Sequence, residues 1–319
     1  MLALLAASVF TQATHAEPAL SRQSAAIVMP AFSKDSSASI KTGVPPTDLA
    51  NFRSLAASSS HCVSFQWVAD GGIERAAITI PVVVDGKMLR FQLDTGSPST
   101  IVYVGNRGKS LTKERYADVR LGDVRFVGTP LIEDGTQSVG DDGIAGTFGL
   151  APLIGRITII DYPARRFCVF TDANQPTYSR QPRWINGAIS EQKFLLPASV
   201  GDQHTRRVIF DTGSSMITLQ LGLQDYLRAT GLNDVAASIG NIGGNAWGKT
   251  IQFFRHKSRV EVSIGDYPFE KPDVFLNSAY QGYSIANDTR FTGVVGNALM
   301  WNKVIILDLT QRARFGILE

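Results

Sequence analysis

Histidine and cysteine are scarce in this 319-residue chain, which contains four histidines and two cysteines. The histidines have no spacing typical of metal ligands, so no metal site is predicted at His15, His61, His204 or His256. The sequence also lacks the Gly-x-Ser-x-Gly, P-loop and dinucleotide-binding motifs. These absences argue against a metalloenzyme, a serine hydrolase with a nucleophile elbow and a nucleotide-dependent enzyme. No cofactor is expected.

Long hydrophobic runs and an excess of one charge are missing as well. No apolar run reaches the length of a membrane-spanning helix, so no stable membrane span is expected. The chain has 31 Lys and Arg residues against 28 Asp and Glu residues, and the two signs are interleaved along the sequence. This pattern lacks the basic footprint of a nucleic-acid-binding protein. With 44% hydrophobic and 18% charged residues, the composition is that of a globular protein with a sizeable core.

The N-terminal segment MLALLAASVFTQATHAEPA combines a short apolar run, Leu2 to Phe10, with small residues at Thr14 and Ala16. This pattern predicts a signal peptide over residues 1–16, although the basic residues that usually precede the apolar run are absent. The alternative is a frayed or membrane-lying helix. We therefore expect a periplasmic or secreted protein rather than a cytoplasmic one. Residues 17–60, rich in Ala, Ser, Pro and Lys, are predicted to be a flexible lead-in or pro-segment.

Cys62 and Cys168 each lie in a strand-like segment. In an exported protein the two residues can form one disulfide, whereas in the cytoplasm they would remain buried thiols. Both alternatives stay open at this point, because disulfide geometry depends on the fold.

Beyond Cys62, β-branched and aromatic residues alternate with polar ones, and turn dipeptides recur about every ten residues. The segment AAITIPVVVDGKMLRFQL predicts two strands joined by a turn at Asp85-Gly86. The best helix candidate is LGLQDYLRATG, which runs from Leu221 to Gly231 and ends at that glycine. The sequence therefore predicts a mainly β protein.

The tetrapeptide Asp-Thr-Gly-Ser occurs twice, at 94–97 and 211–214, each time after an apolar strand-like run. Each copy is preceded by a proline, Pro81 or Pro197, and followed by a strand with an aspartate, Asp161 or Asp308. This internal repeat predicts an N-terminal lobe over 61–172, a linker over 173–187 and a C-terminal lobe over 188–319. Because Asp161 and Asp308 end their strands, we expect them to cap turns rather than to catalyse.

Two aspartates held at hydrogen-bonding distance cannot both ionise, so they share one proton. Such a pair, here Asp94 and Asp211, can activate a water molecule between its carboxyl groups. The ionised partner takes the proton of the water, and the protonated partner donates to the carbonyl oxygen that is attacked.

The residues that follow each aspartate suit this chemistry. The glycine of each tetrapeptide allows backbone N–H groups to approach the carboxylates closely. The serine hydroxyls can donate hydrogen bonds to the aspartates, and the threonines, which point away, can join the two loops. The supporting residues predicted in this way are Thr95, Gly96, Ser97, Thr212, Gly213 and Ser214.

With these motifs the chain resembles the aspartic proteases over roughly residues 73–319. It is similar to the pepsin-like enzymes in carrying both loops in one chain, and to the retropepsins in the shortness of each lobe. The resemblance implies the two-lobed acid protease fold, with β lobes related by a pseudo-twofold axis, and we expect a bacterial type. It also implies an apolar-apolar-Gly motif beside each aspartate, which we place at Ile144, Ala145 and Gly146 and at Val294, Val295 and Gly296.

The sequence departs from this family in two places. Pepsin-like enzymes carry a tyrosine-bearing flap in the first lobe, and no such segment lies between Asp94 and Gly146. A glycine-rich stretch of the second repeat is the candidate flap instead, with the residues Ile242, Gly243, Gly244, Asn245 and Trp247. Trp247 is either a lid residue or a hairpin residue packed on its own lobe. Asn297 follows Gly296 where the family usually has aspartate, which puts the outer hydrogen bonds of that loop in doubt.

The resulting hypothesis is a monomeric aspartic endopeptidase that hydrolyses a peptide or protein substrate with water activated between Asp94 and Asp211. One alternative is a non-catalytic peptide-binding or inhibitor-like protein on the same fold. Another is an enzyme whose cleavage is confined to releasing its own pro-segment.

Overall fold

A computed structural model describes residues 60–319 except 71, 106–111, 141, 172–173, 179, 247–248 and 279–291. The chain is built mainly of β-strands, which confirms the predicted fold class. The predicted signal peptide, nearly all of the predicted lead-in and the lid candidate Trp247 lie outside the described residues. Within them, no helix is long and apolar enough to cross a membrane.

The strands of the first half of the chain include those that lead into and out of the first Asp-Thr-Gly-Ser loop. They are β1 (Cys62–Ser64), β2 (Gln66–Asp70), β3 (Ile73–Val84), β4 (Lys87–Leu93), β5 (Thr100–Tyr103), β6 (Thr112–Leu121), β7 (Val124–Asp134), β8 (Gly146–Phe148), β9 (Ile157–Asp161) and β10 (Arg166–Phe170).

The strands of the second half surround the second loop. They are β11 (Arg183–Asn186), β12 (Ala188–Ser190), β13 (Lys193–Val200), β14 (Gln203–Phe210), β15 (Leu219–Leu221), β16 (Gly240–Ala246), β17 (Lys249–Lys257), β18 (Val262–Ile264), β19 (Tyr267–Phe269), β20 (Asp273–Asn277), β21 (Gly293–Val295), β22 (Val304–Asp308) and β23 (Arg314–Leu318). The segment predicted as a linker, 173–187, therefore includes strand β11.

Three sheets organise these strands. The first lobe is a seven-stranded sheet in the order β2-β3-β4-β8-β5-β7-β6, closed by an additional pairing of β3 with β6. The second lobe is a ten-stranded sheet in the order β16-β17-β20-β15-β21-β14-β13-β18-β19, with β12 paired to β13. A six-stranded interlobe sheet, β1-β10-β9-β22-β23-β11, takes strands from both halves of the chain.

The register of the strands shows that the repeat seen in the sequence is a structural one. Pro81 lies opposite Arg90, four residues before Asp94, and Pro197 lies opposite Arg207, four residues before Asp211. In the interlobe sheet, β9 and β22 run antiparallel with Ile159 opposite Ile306 at their centre. Equivalent elements of the two halves are therefore related by a pseudo-twofold axis through that pair.

The local predictions for turn and helix are confirmed. Asp85 and Gly86 form the turn between β3 and β4 with φ values of 49° and 83°, a left-handed conformation suited to a tight hairpin. Helix α1 spans Leu223–Thr230, and Gly231 ends it in the left-handed conformation with φ 66°.

The interlobe sheet also contains the two cysteines. Cys62 of β1 lies opposite Cys168 of β10, and the two residues form a disulfide. The equivalent positions in the other half are Trp184 of β11 and Gly316 of β23, which also lie opposite each other. A Cβ atom on Gly316 would come within 2.8 Å of the Trp184 ring, so the indole occupies the space next to this glycine.

Candidate active site

The strand pairing brings the two aspartates to equivalent places at the centre of the molecule. Asp94 follows β4, and its N–H donates to the Phe148 carbonyl at the end of β8 (3.0 Å). Asp211 follows β14, and its N–H donates to the Val295 carbonyl at the end of β21 (2.9 Å). Each aspartate is thus fixed at the point where a parallel strand pair ends.

The threonines of the two loops tie the lobes together. The Thr95 hydroxyl donates to the Phe210 carbonyl (2.9 Å), and the Thr212 hydroxyl donates to the Leu93 carbonyl (3.0 Å). Each hydroxyl oxygen also accepts the backbone N–H of the other threonine, at 2.9 and 3.0 Å. Both side chains are fully buried. The four bonds therefore hold the loops in one fixed relation.

The glycines pack against the carboxylates of the opposite loop. A Cβ atom on Gly96 would lie 2.4 Å from Cγ of Asp211, and one on Gly213 would lie 2.6 Å from Cγ of Asp94. Neither position can hold a larger residue without displacing an aspartate, because real Cβ atoms do not approach other heavy atoms this closely.

The hydrogen bonds around the two carboxylates are unequal. Asp211 accepts from the Gly96 N–H (3.1 Å), the Gly213 N–H (2.8 Å) and the Ser214 hydroxyl (2.7 Å). Asp94 accepts from the Ser97 N–H (2.9 Å). The predicted bond from the Ser97 hydroxyl to Asp94 is wrong, because that hydroxyl donates to the Ser99 carbonyl (2.9 Å).

This inequality affects proton affinity. Burial raises the pKa of Asp94 well above its usual value, and the neighbouring Asp211 carboxyl, which is hydrogen-bonded to it, raises it further. The Ser97 N–H and the ammonium of Lys193 act in the opposite direction on this pKa.

The apolar-apolar-Gly motif of the first lobe lies three residues beyond the predicted Ile144-Ala145-Gly146. Gly146 opens β8 and lies opposite Phe91, which precedes Asp94 by three residues. The glycine of the motif beside Asp94 therefore lies three residues further along the chain. The equivalents of Val295 and Gly296 are Phe148 and Gly149, because Phe148 and Val295 accept the N–H groups of the two aspartates.

Both glycines of the corrected motif have the same contacts. A Cβ on Gly149 would lie 2.8 Å from the Ser97 carbonyl oxygen, and one on Gly296 would lie 2.0 Å from that of the equivalent Ser214. A short 3₁₀ helix follows each glycine, at Ala151–Leu153 and Asn297–Met300.

Asn297 occupies the position equivalent to Leu150 and joins a buried network. Its Nδ2 donates to the Thr212 carbonyl and to the Ser215 hydroxyl, both at 2.8 Å. Its Oδ1 accepts the hydroxyl of Tyr162 (2.6 Å), a residue that follows interlobe strand β9. The amide thus links the second Asp-Thr-Gly-Ser loop to the first half of the chain, and an asparagine is sufficient to form these outer hydrogen bonds.

None of the hydrogen bonds described for Asp161 and Asp308 reaches this site. The Asp161 carboxylate accepts the Ala164 N–H (2.9 Å) and so caps the turn after β9. Asp308 accepts from Arg314 (2.9 Å) and from the hydroxyl of Thr310.

A cleft of about 450 Å³ adjoins the second Asp-Thr-Gly-Ser loop and is lined there by Gly213, Ser214 and Ser215. Tyr103, whose hydroxyl is hydrogen-bonded to Thr147 Oγ1 (3.0 Å), contributes to the opposite wall. Burial raises the pKa of this hydroxyl, so it is present as a neutral donor.

Two hairpins of different origin border the cleft. The hairpin of β16 and β17 belongs to the second lobe and contains the candidate flap, with Gly243 and Phe253 in the cleft wall. Ile242, Gly244 and Asn245 lie on β16 of this hairpin. The β2–β3 hairpin, which we call the first-lobe arm (Gln66–Ile80), faces the cleft with Val68, Ala69, Asp70, Ile73, Ala76 and Ala77.

The first-lobe arm is fastened to the second half of the chain by an aromatic cluster. The Arg75 guanidinium lies 5.5 Å from the ring centroid of Trp67 and 4.9 Å from that of Trp301, and these two rings are themselves in edge contact at 6.1 Å. Trp67 also stacks on Tyr162 at a centroid distance of 6.1 Å. Neither the arm nor this cluster was identified from the sequence, since an isolated arginine and two distant tryptophans give no periodic signal.

Lys193 is the other residue that sequence reasoning missed. Its ammonium donates to the carbonyl of Gly96 in the first Asp-Thr-Gly-Ser loop, although it lies 97 residues away along the chain. A single lysine in a strand is ordinary in a sequence, so only the fold reveals this contact.

No protein-family model and no curated protein matches this chain. Among solved structures, the chain is similar to an aspartic proteinase from Irpex lacteus, with 13% sequence identity and a TM-score of 0.46. The match covers 76% of this chain and 94% of the proteinase.

Proposed function

We propose that the protein is an aspartic endopeptidase with Asp94 and Asp211 as its catalytic pair. The observation that carries this proposal is the mutual packing of the two loops, in which the glycine of each loop lies against the carboxylate of the other. An ordinary turn would not require such contacts in duplicate.

The unequal surroundings of the two carboxylates support a division of roles. Asp211 accepts three hydrogen bonds, which stabilise its ionised form. Asp94, with its raised pKa, holds the proton. A water molecule between them loses a proton to Asp211 as its oxygen attacks the peptide carbonyl carbon, while Asp94 donates its proton to the carbonyl oxygen. The C–N bond of the tetrahedral intermediate then breaks as Asp211 donates the proton that it took from the water to the amide nitrogen, while a hydroxyl of the intermediate returns a proton to Asp94 and becomes the carbonyl of the new carboxyl group.

The cleft suits an extended peptide as substrate. Its walls carry small and apolar side chains, and hairpin backbones on both sides offer hydrogen-bonding groups to an added strand. Both loops belong to one chain, so we infer that a monomer is sufficient for activity.

The test is cleavage of a diverse peptide mixture by the purified protein from pH 3 to 8, read by mass spectrometry. We expect cleavage by the wild type, inhibition by pepstatin, and no cleavage by Asp94→Asn or Asp211→Asn with unchanged circular dichroism. Cleavage retained in either folded variant would contradict the assignment. Peptide binding without cleavage in all three proteins would favour the non-catalytic alternative.

We also infer that the protein works in an oxidising compartment, outside the cytoplasm. The Cys62–Cys168 disulfide supports this inference, since such bonds are rare where glutathione keeps thiols reduced. Thiol labelling of protein isolated under alkylating conditions checks it. Labelling of both cysteines in the native protein would contradict an oxidising location.

A further inference from the structure

Lys193 lies where its positive charge can act on Asp94 but not equally on Asp211. It begins strand β13 of the second lobe, and its ammonium donates to the carbonyl of Gly96. The same peptide group, formed by the Gly96 carbonyl and the Ser97 N–H, donates through that N–H to Asp94 Oδ1 (2.9 Å). One planar peptide unit therefore separates the lysine from the carboxylate.

Such an arrangement strengthens the bond to the carboxylate. A cation on a carbonyl oxygen polarises the amide, and a polarised amide donates a stronger hydrogen bond through its N–H. Among the described residues, the Asp94 carboxylate accepts a hydrogen bond from the Ser97 N–H and is otherwise in contact with the Asp211 carboxyl. Asp94, which lacks the hydroxyl donor that Ser214 gives Asp211, thus depends on this peptide group for its orientation.

The contact has no counterpart in the other half of the molecule. Leu195 lies opposite Ile209, two residues before Asp211. Thr79 lies opposite Gln92, two residues before Asp94, so Leu195 and Thr79 are equivalent. Lys193 is therefore equivalent to Ala77, which lines the cleft and has no charge.

We propose that Lys193 is a positioning residue, which anchors the first catalytic loop to strand β13 and, through the Gly96–Ser97 peptide group, holds and partly neutralises Asp94. The inference rests on the proposed function for its catalytic meaning. The groups with charge or a titratable proton that face Asp94, among the described residues, are Asp211, Lys193 and Tyr103.

The experiment compares wild type with Lys193→Met, which removes the charge and the donor at similar volume. The first readout is the carbon-13 titration of the Asp94 carboxyl, assigned from the spectrum of Asp94→Asn. Because the lysine favours the ionised form, its loss raises the pKa of Asp94 further. We expect the titration to move upward by about one pH unit, and the alkaline limb of kcat/KM to move with it.

Two further variants make the result specific. Lys193→Arg keeps the charge and should leave the titration unchanged. Lys87→Met removes an exposed charge at the far end of β4, about 23 Å along the strand from Asp94, and should also leave it unchanged. If Lys193→Met does not fold, Lys193→Gln, which keeps a donor without the charge, gives the same test.

An unchanged titration in folded Lys193→Met or Lys193→Gln would overturn the proposal. A drop in thermal stability without a shift of the titration would give Lys193 a merely structural role and would overturn it equally. If the wild type cleaves no peptide, the proposed function fails, whereas the carbon-13 titration still decides whether Lys193 acts on Asp94.

Discussion

The two lobes share one arrangement of strands around their catalytic loops but differ in what surrounds it. In the second lobe, helix α1 and strand β16 are inserted between the strands equivalent to β5 and β6. In the first lobe, the arm built from β2 and the start of β3 extends to the pair Asp70 and Ile73, whereas the equivalent pairing of β12 with β13 ends at Ser190 and Lys193. The strands that the lobes share fix the positions of Asp94 and Asp211. The elements in which the lobes differ give the two aspartates unequal neighbours.

This difference suggests how a near-symmetric pair can perform an asymmetric reaction. Three donors surround Asp211, while Asp94 has a single backbone donor with Lys193 behind it. The two tetrapeptides are identical in sequence, so the asymmetry comes from their hydrogen bonds, in which the N–H groups of both Gly96 and Gly213 donate to Asp211, from the Ser97 rotamer and from residues outside the tetrapeptides. The following predictions test whether equivalent positions respond alike or differently.

The largest effect on stability is expected at the position where one half of the molecule has the disulfide and the other half has Trp184. Replacing both Cys62 and Cys168 by alanine should lower the free energy of unfolding by about 4 kcal/mol, because the bond closes a loop with a sequence separation of 106. Trp184→Ala should cost about 2 kcal/mol, since that ring is only partly buried. Urea unfolding measures both. An equal loss in the two variants would remove the distinction between the halves.

The next prediction concerns the feature that the lobes share. Gly96→Ala and Gly213→Ala should each reduce kcat/KM at least about 100-fold, because a methyl group would displace the opposite carboxylate. Gly240→Ala is the matched control, since a Cβ there has no neighbour within 4 Å and should leave activity unchanged. Peptide hydrolysis measures all three. Near-normal activity in either loop variant would mean that the carboxylates do not need their observed positions.

Asn297 and Leu150 offer a third contrast, because one equivalent position is polar and the other apolar. Asn297→Asp should lower the free energy of unfolding at pH 7 by about 2 kcal/mol, since a buried carboxylate would face the Thr212 carbonyl without a donor. Burial raises the pKa of this new carboxyl above its unfolded value. The variant is therefore most stable at low pH and loses stability as the pH rises through the folded pKa.

Unfolding curves at pH 4 and pH 7 test this prediction. Asn297→Leu, which copies the residue of the first lobe, should be destabilised equally at both pH values. A loss for Asn297→Asp that is the same at both pH values would show that the introduced group does not titrate in that range.

Features that depend on residues close together in the sequence could be predicted, whereas contacts between distant segments could not. The repeat, the aspartate pair, the turn at Asp85-Gly86 and the end of helix α1 at Gly231 depend on neighbouring residues, and the sequence showed all of them. The motif beside Asp94 was predicted at Gly146, whereas strand pairing places Gly149 there; glycines recur every three residues from Gly140 to Gly149, so local sequence does not identify the correct one. The contact of Lys193 joins distant segments, so no local pattern predicts it.

The smallest effect is expected where the two hairpins that border the cleft differ. The first-lobe arm is fixed by the contacts of Arg75 with the rings of Trp67 and Trp301, whereas the β16–β17 hairpin has glycines at 240, 243 and 244 of its first strand. Arg75→Leu should loosen the arm and raise KM about fivefold, equivalent to about 1 kcal/mol, because a cation–π contact of this kind contributes that much. The dyad is untouched, so kcat should stay within about twofold of wild type.

Hydrogen exchange of the arm supplies a readout that does not depend on catalysis. Amides of residues 66–80 should exchange faster in Arg75→Leu than in wild type, while those of the β16–β17 hairpin should not change. Arg75→Lys keeps a cation but lacks the broad planar guanidinium that contacts both indoles, so it should give an intermediate result. A fall in kcat at constant KM would contradict the assignment of the arm to substrate binding. It would mean instead that the cluster supports the catalytic loops through Tyr162 and Asn297, which lie directly beneath it.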